Sequence, residues 1–174
     1  SLVEAEKLRF DFSHYHALDS QEIEEIEDLV NQAIWRNDLV ETKIMTPEEA
    51  MDSGAVALFG EKYGNEVRVL KMGDFSLELC GGTHVYQTGD IGLFKIISES
   101  AIASGIRRIE ALTSITAFQY LRENTKKIKE CASLVKTDES QLVGKLQQIL
   151  EQQKTCLQQI DQLKNQLAIN QITE

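Results

Sequence analysis

Phe75-Ser76-Leu77-Glu78-Leu79-Cys80-Gly81-Gly82-Thr83-His84 is the stretch on which the reading of this chain turns. It sets a thiol and an imidazole four residues apart around a diglycine. Zinc binds thiolate and imidazole at about 2.0 to 2.3 Å, so a shared ion needs the sulfur and the ring nitrogen within roughly 4 Å of each other. On a straight strand, rising about 3.3 Å per residue, positions 80 and 84 share a face but stand about 13 Å apart. The chain must bend there. Gly81 and Gly82 permit the bend, and each disfavours a helix by about 1 kcal/mol, so a strand ending near Cys80 and turning into a loop is expected. Two ligands are half a zinc site, since structural sites close with four and catalytic ones hold three plus water. The competing reading is a buried thiol beside a loop imidazole that only packs or hydrogen-bonds.

Upstream of the loop, residues 67–71 and 75–80 flank Met72-Gly73-Asp74, a hairpin signal that puts Cys80 at a strand terminus. Leu8-Arg9-Phe10-Asp11-Phe12 alternates apolar and charged residues, the mark of a half-buried strand. Asp19 or Ser20 then caps a helix whose apolar stripe is Ile23, Ile26, Leu29, Val30, Ala33 and Ile34, ending near Asn37. Val40–Met45 reads as a strand, and Thr46-Pro47-Glu48-Glu49 as a capping box opening a short helix. Residues 54–59 are small and apolar, 60–64 form a glycine-bracketed loop, and further strands are expected over 92–98 and 106–112. Strands and helices thus mix without regular βαβ alternation. The expectation is an α+β domain over residues 1–113, with a mixed or antiparallel sheet and helices.

After Ser114 glycine nearly vanishes and Gln, Lys and Leu take over. Phe118, Leu121, Thr125, Ile128, Ala132 and Val135 step by threes and fours, as do Leu142, Leu146, Ile149, Gln153, Cys156, Ile160, Leu163 and Leu167 after a polar break at 136–139. Both are heptad seams, and residues 114–174 are expected to form an α-helical hairpin or a coiled coil, with self-association through that segment as one outcome. Cys156 on the seam reads as a small buried hydrophobe rather than a reactive thiol, and Cys131 beside its own seam likewise. Gln153 is a polar residue on the seam, which costs stability while fixing register.

The chain has 174 residues, 42% of them hydrophobic and 26% charged, enough for one sizeable core and an appendage. No apolar run of about 18 residues and no charged-then-apolar leader is seen, so no membrane association is expected. Three cysteines, at 80, 131 and 156, make no disulfide framework and fit a reducing, cytoplasmic setting. An opening Ser1 and an end inside a helical pattern point to a piece of something longer. The net charge of −10 sits in residues 1–113, which carry −11 against +1 for 114–174. Electrostatics alone therefore does not predict a nucleic-acid partner. Asp19, Glu22, Glu24, Glu25, Glu27 and Asp28 read as a solvated helix start.

Four stretches taken in order, Phe59-Gly60-Glu61-Lys62-Tyr63-Gly64, then Gly73 through the Cys80-Gly81-Gly82-Thr83-His84 loop to Val85, then Thr88-Gly89-Asp90-Ile91-Gly92, then Gly105-Ile106-Arg107-Arg108-Ile109-Glu110-Ala111, closely resemble the alanyl-tRNA synthetase family. The resemblance covers the later part of that family's editing domain, from Leu8 to about residue 113, and the helical connector after it. It implies hydrolysis of tRNA(Ala) mischarged with serine or glycine, within an enzyme that attaches alanine using ATP. An apolar pocket rejects an added hydroxyl or a missing methyl only about a hundredfold, which calls for a second, hydrolytic sieve. The family's single zinc is held by an HxxxH and a CxxxH pair. Cys80 and His84 match the second, whereas no HxxxH occurs here, so this segment alone is expected to be inactive or impaired. ATP and magnesium belong to an aminoacylation domain that these residues do not include.

By the same resemblance the tRNA 3′ end is the partner, and Cys80 and Thr83 stand at the reacting centre. Lys62, Arg107 and Arg108 are candidates to hold that 3′ end. For Arg107 and Arg108 the alternative is a strand with one arginine paired to an acid and one exposed. For Lys62 and Tyr63 it is an ordinary surface loop, and His14 is expected to be a satisfied structural histidine. Two rivals share these features: a free-standing trans-editing deacylase or threonyl-tRNA synthetase editing domain, and a helical oligomerisation module on a passive α+β scaffold.

Overall fold

Helix α1 (Ser20–Trp35) starts where its first turn can be closed from both sides. Asp19 Oδ1 accepts from Glu22 N, and Glu22 Oε2 accepts from Asp19 N, both at 2.9 Å, a complete capping box. The short helix α2 (Pro47–Asp52) repeats the device with Thr46 and Glu49. The computed structural model describes residues 1–56 and 64–172, with side chains through Leu167. Most of the 54–59 and 60–64 stretches, Lys62 and Tyr63 included, lie outside the described residues.

The chain divides into two compact units, Ser1–Tyr120 and Leu121–Glu174. The first is α+β. Strands β1 (Leu2–Val3), β2 (Leu8–Ser13), β6 (Phe94–Ala103) and β7 (Ile106–Thr113) form an antiparallel sheet in the order β1-β2-β7-β6. Strands β3 (Val40–Met45), β4 (Val67–Met72) and β5 (Ser76–Leu79) form a second antiparallel sheet in sequence order. The expected hairpin is β4-β5, turning at Gly73 with φ 53°. Two small cores result. Ile96, Ile109 and Ala111 pack with Leu8, Phe12, Ile23 and Ile26, which lays α1 on the four-stranded sheet. Ala50, Val67, Val69 and Leu79 pack with Met45, Ala55 and Leu77 beside the second.

Helix α1 corrects the sequence reading at two points. Leu29, assigned to the apolar stripe, is 59% exposed. Glu27, assigned to the solvated acids, is buried. Its Oε1 accepts from Ile96 N and its Oε2 from Lys95 Nζ, both at 2.7 Å. One turn on, buried Asn31 donates to the Phe94 carbonyl and accepts from Phe94 N, each at 2.9 Å. The outer strand β6 thus finds its hydrogen-bond partners in side chains of α1, a requirement that outweighs the preference of a carboxylate for water.

The Thr88-Gly89-Asp90-Ile91-Gly92 motif is a 3-10 turn fastened to the end of α1. Thr88 is buried, and its hydroxyl lies 3.0 Å from Ala33 O, 3.2 Å from Ile34 O and 3.0 Å from the Asp38 N–H that it accepts. Gly92 has φ 72°, and a Cβ there would stand 3.1 Å from Ser114 Cα, so the position admits glycine on both counts.

In the second unit α3 (Ser114–Leu134), which begins in the first unit, ends in a Schellman motif: Thr137 N donates to Ala132 O and Lys136 N to Ser133 O, with Lys136 at φ 57°. Helix α4 (Leu142–Ile172) follows a 3-10 turn capped by Asp138. From Leu146 to Leu167 every α4 residue is exposed. Cys156, expected on a buried seam, is exposed, as is Cys131.

Candidate metal centre

The loop after β5 is built by the hairpin before it. With Met72 opposite Ser76, the register runs outward to Val69 opposite Leu79 and brings Arg68 opposite Cys80. Cys80 N donates to Arg68 O at 3.1 Å, the last rung of the ladder. The Arg68 guanidinium then reaches over the end: Nη1 donates to Cys80 O at 3.3 Å and to the carbonyl of Gly82. One cation thus gathers two carbonyls of the diglycine bend.

The bend brings Cys80 Sγ to 3.2 Å from His84 Nε2, inside the limit that one shared ion sets. Ideal tetrahedral bonds to a thiolate and an imidazole place those atoms about 3.6 Å apart. The pair therefore fits two corners of a zinc site with only a small side-chain adjustment. Cys80 is half-buried, while Gly81, Gly82, Thr83 and His84 are exposed, leaving the open side accessible. Partial burial, helped by the positive charge of Arg68 and opposed by Glu78, holds the His84 imidazole below its ordinary pKa. A neutral ring is the form that binds a metal. Thr83 stands on the exposed loop between the two ligand atoms in sequence.

The two arginines on β7 are both paired, which is more than the sequence reading of one paired and one exposed. Arg107 grips Glu99 through two nitrogens, Nη2 to Oε2 at 2.5 Å. Arg108 grips Asp11 on the neighbouring strand, at 2.6 and 2.8 Å. Each arginine hydrogen bond is the main reason that its carboxyl partner is held below the usual carboxylate range. His14 also departs from expectation: its Nε2 is buried without a hydrogen-bond partner.

Sequence reading passed over Arg68. Its signal was present in the hairpin itself, because a turn pairing Met72 with Ser76 already puts residue 68 opposite residue 80. No such signal existed for a second group, in which His14, His16 and Glu22 each offer a ligand atom within 4.8 Å of the others. Among the described residues no helix is long and apolar enough to cross a membrane.

Residues 67–110, which contain Arg68, Cys80, His84, Arg107 and Arg108, match the family described as the threonyl and alanyl tRNA synthetase second additional domain. Over 172 residues, 99% of the chain, the sequence is 53% identical to an alanine–tRNA ligase of Coxiella burnetii. It is 52% identical over 168 residues to that of Shewanella loihica, and 49% identical over 172 to alanine–tRNA ligase 1 of Lachnoclostridium phytofermentans. The chain spans about one fifth of the length of these relatives, 20%, 19% and 20% respectively. With the second additional domain matched around its Cys80–His84 loop, and about half of its residues shared with these ligases along nearly all its length, the chain is similar to one segment of the alanine–tRNA ligases.

Proposed function

We propose that this segment is the later part of the hydrolytic editing site of an alanine–tRNA ligase, acting on tRNA(Ala) that carries serine or glycine. The observation that carries the reading is the 3.2 Å approach of Cys80 Sγ to His84 Nε2 inside the matched domain. Zinc bound there supplies a positive centre that polarises or positions the mischarged ester. Cys80 and His84 would hold two of its ligand positions, and because no HxxxH pair occurs in this sequence the segment alone is expected to have impaired activity. Arg68 holds the loop carbonyls so that the two ligand atoms converge. Thr83 offers a hydroxyl on the same loop to the reacting ester. Arg107 and Arg108 face the tRNA 3′ end in this proposal while shared with Glu99 and Asp11, and Lys62, outside the described residues, is a further candidate to contact it. The residue chemistry suits a cytoplasmic setting, with three free cysteines.

The test measures hydrolysis of Ser-tRNA(Ala) by the complete ligase that contains this segment, with and without Cys80→Ala. Loss of a metal ligand is expected to lower hydrolysis by about a hundredfold or more, with alanine activation unchanged. Cobalt substitution adds an independent readout, because a sulfur-to-cobalt charge-transfer band should be present in the native protein and absent in the variant. Equal hydrolysis by the two proteins would overturn the proposal.

A further inference from the structure

The His14–His16–Glu22 group lies outside the Cys80–His84 loop and plays no part in the proposed editing chemistry. Its three ligand atoms come from the end of β2, the loop after it and the first turn of α1. His14 follows directly on β2, and its backbone N–H donates to Gly105 O at 3.0 Å, continuing the pairing with β7. His16 lies two residues on, its ring centroid 4.2 Å from that of His14 and inclined at 64°. Glu22 sits in the first turn of α1, where Oε2 is occupied by Asp19 N. The capping box thus fixes the carboxylate and leaves Oε1 to face other partners. The segment between them is anchored as well, since the Leu18 N–H donates to Glu99, itself gripped by Arg107.

Two observations point to a ligand. His14 Nε2 is buried without a hydrogen-bond partner, an unfavourable state unless something binds the nitrogen. The second is the donor set: two imidazoles and one carboxylate, each with an atom within 4.8 Å of the others. Zinc–nitrogen bonds of about 2.0–2.1 Å put tetrahedral ligand atoms about 3.4 Å apart, so closing on an ion requires a contraction on the order of 1 Å. Exposed His16, whose ring meets only the carbonyl of Ala17 at 3.0 Å in the hydrogen bonds of the structure, can supply that movement.

We propose that His14, His16 and Glu22 form a binding site for a borderline divalent cation, with zinc as its best fit, that staples the end of β2 to the start of α1. Imidazole nitrogen with one carboxylate oxygen suits zinc better than the hard cations calcium and magnesium, which take oxygen ligands. Three protein ligands leave the fourth position to water. The site is independent of the editing proposal, and either can fail alone.

The experiment is zinc binding to the 174-residue chain carrying Cys80→Ala, which removes the thiolate site. One equivalent of zinc is expected to remain after dialysis, and adding His16→Ala should weaken that binding by about a hundredfold. Because His16 is exposed, the double variant should keep the metal-free melting temperature of its parent while losing the rise that zinc produces. Glu22→Gln, which preserves an acceptor for Asp19 N, should weaken zinc binding without loss of the helix cap. Absence of zinc from the Cys80→Ala chain would overturn the proposal, as would zinc retained unchanged in the double variant.

Discussion

Helices α1 and α4 are both amphipathic by sequence, yet they meet opposite fates. On α1 the buried set includes Glu27 and Asn31 together with Ala33 and Ile34, because the strand beneath it needs hydrogen-bond partners as well as apolar cover. On α4 a cleaner heptad repeat of Leu, Ile and Cys lies wholly exposed from Leu146 to Leu167. The lesson is that apolar periodicity tells which face of a helix seeks cover. What covers it, and whether polar residues join in, depends on chain far away in sequence.

The largest effect should come from the polar side of this contrast. Glu27→Ala leaves the Ile96 N–H and the Lys95 ammonium without their carboxylate and should destabilise the first unit by about 3 kcal/mol in chemical unfolding. The exposed neighbour Asp28→Ala should stay within about 0.5 kcal/mol. Equal effects from the two would erase the distinction between a buried bridging acid and a solvated one.

A smaller effect concerns charge. Asp11 is held below its ordinary value of 3.8, chiefly by the hydrogen bond from Arg108. A lowered carboxyl pKa in the folded state gives stability that is fully present above 3.8 and is lost as pH falls through the folded value. Melting temperature followed against pH should therefore show an acid limb that Asp11→Asn makes shallower, with lower stability at neutral pH. Parallel curves for the two proteins would remove the pair from the acid response. Among the described residues, the second unit's ion pairs Lys126–Glu130 and Lys129–Glu139, at 3.9 and 3.8 Å, are exposed, and neutralising either should change the melting temperature little.

Gln153→Leu is the finest probe. If α4 seams associate, the change should raise the melting temperature of the helical unit by the equivalent of about 1 kcal/mol or less, increasingly with protein concentration. An unchanged or lowered value would take Gln153 out of any packed seam.

These contrasts follow the line between what local sequence can and cannot carry. The helix start at Asp19, the Thr46–Glu49 capping box, the turn at Gly73 and the bend between Cys80 and His84 were legible because each is closed within a few residues. Arg68 required one further step, counting a register outward from the turn. Glu27 was misread because its partners lie 68 and 69 residues away, where no periodicity reports on them. The meeting of His14 and His16 with Glu22 was hidden for a different reason: the loop between β2 and α1 folds them together, and loop geometry has no repeating pattern.

The α1–β6 clamp also bears on what this protein avoids. Strand β6 borders its sheet, and an open border offers a template on which another molecule's strand can add. Asn31 and Glu27 occupy the Phe94 and Ile96 amides that such an intruder would need, and the register irregularities between Ile96 and Ser98 and between Ala101 and Ala103 break the regular ladder further along. The buried acid and amide of α1 thus guard the sheet against polymerising edge to edge, and weakening them should favour aggregates before it favours the unfolded monomer.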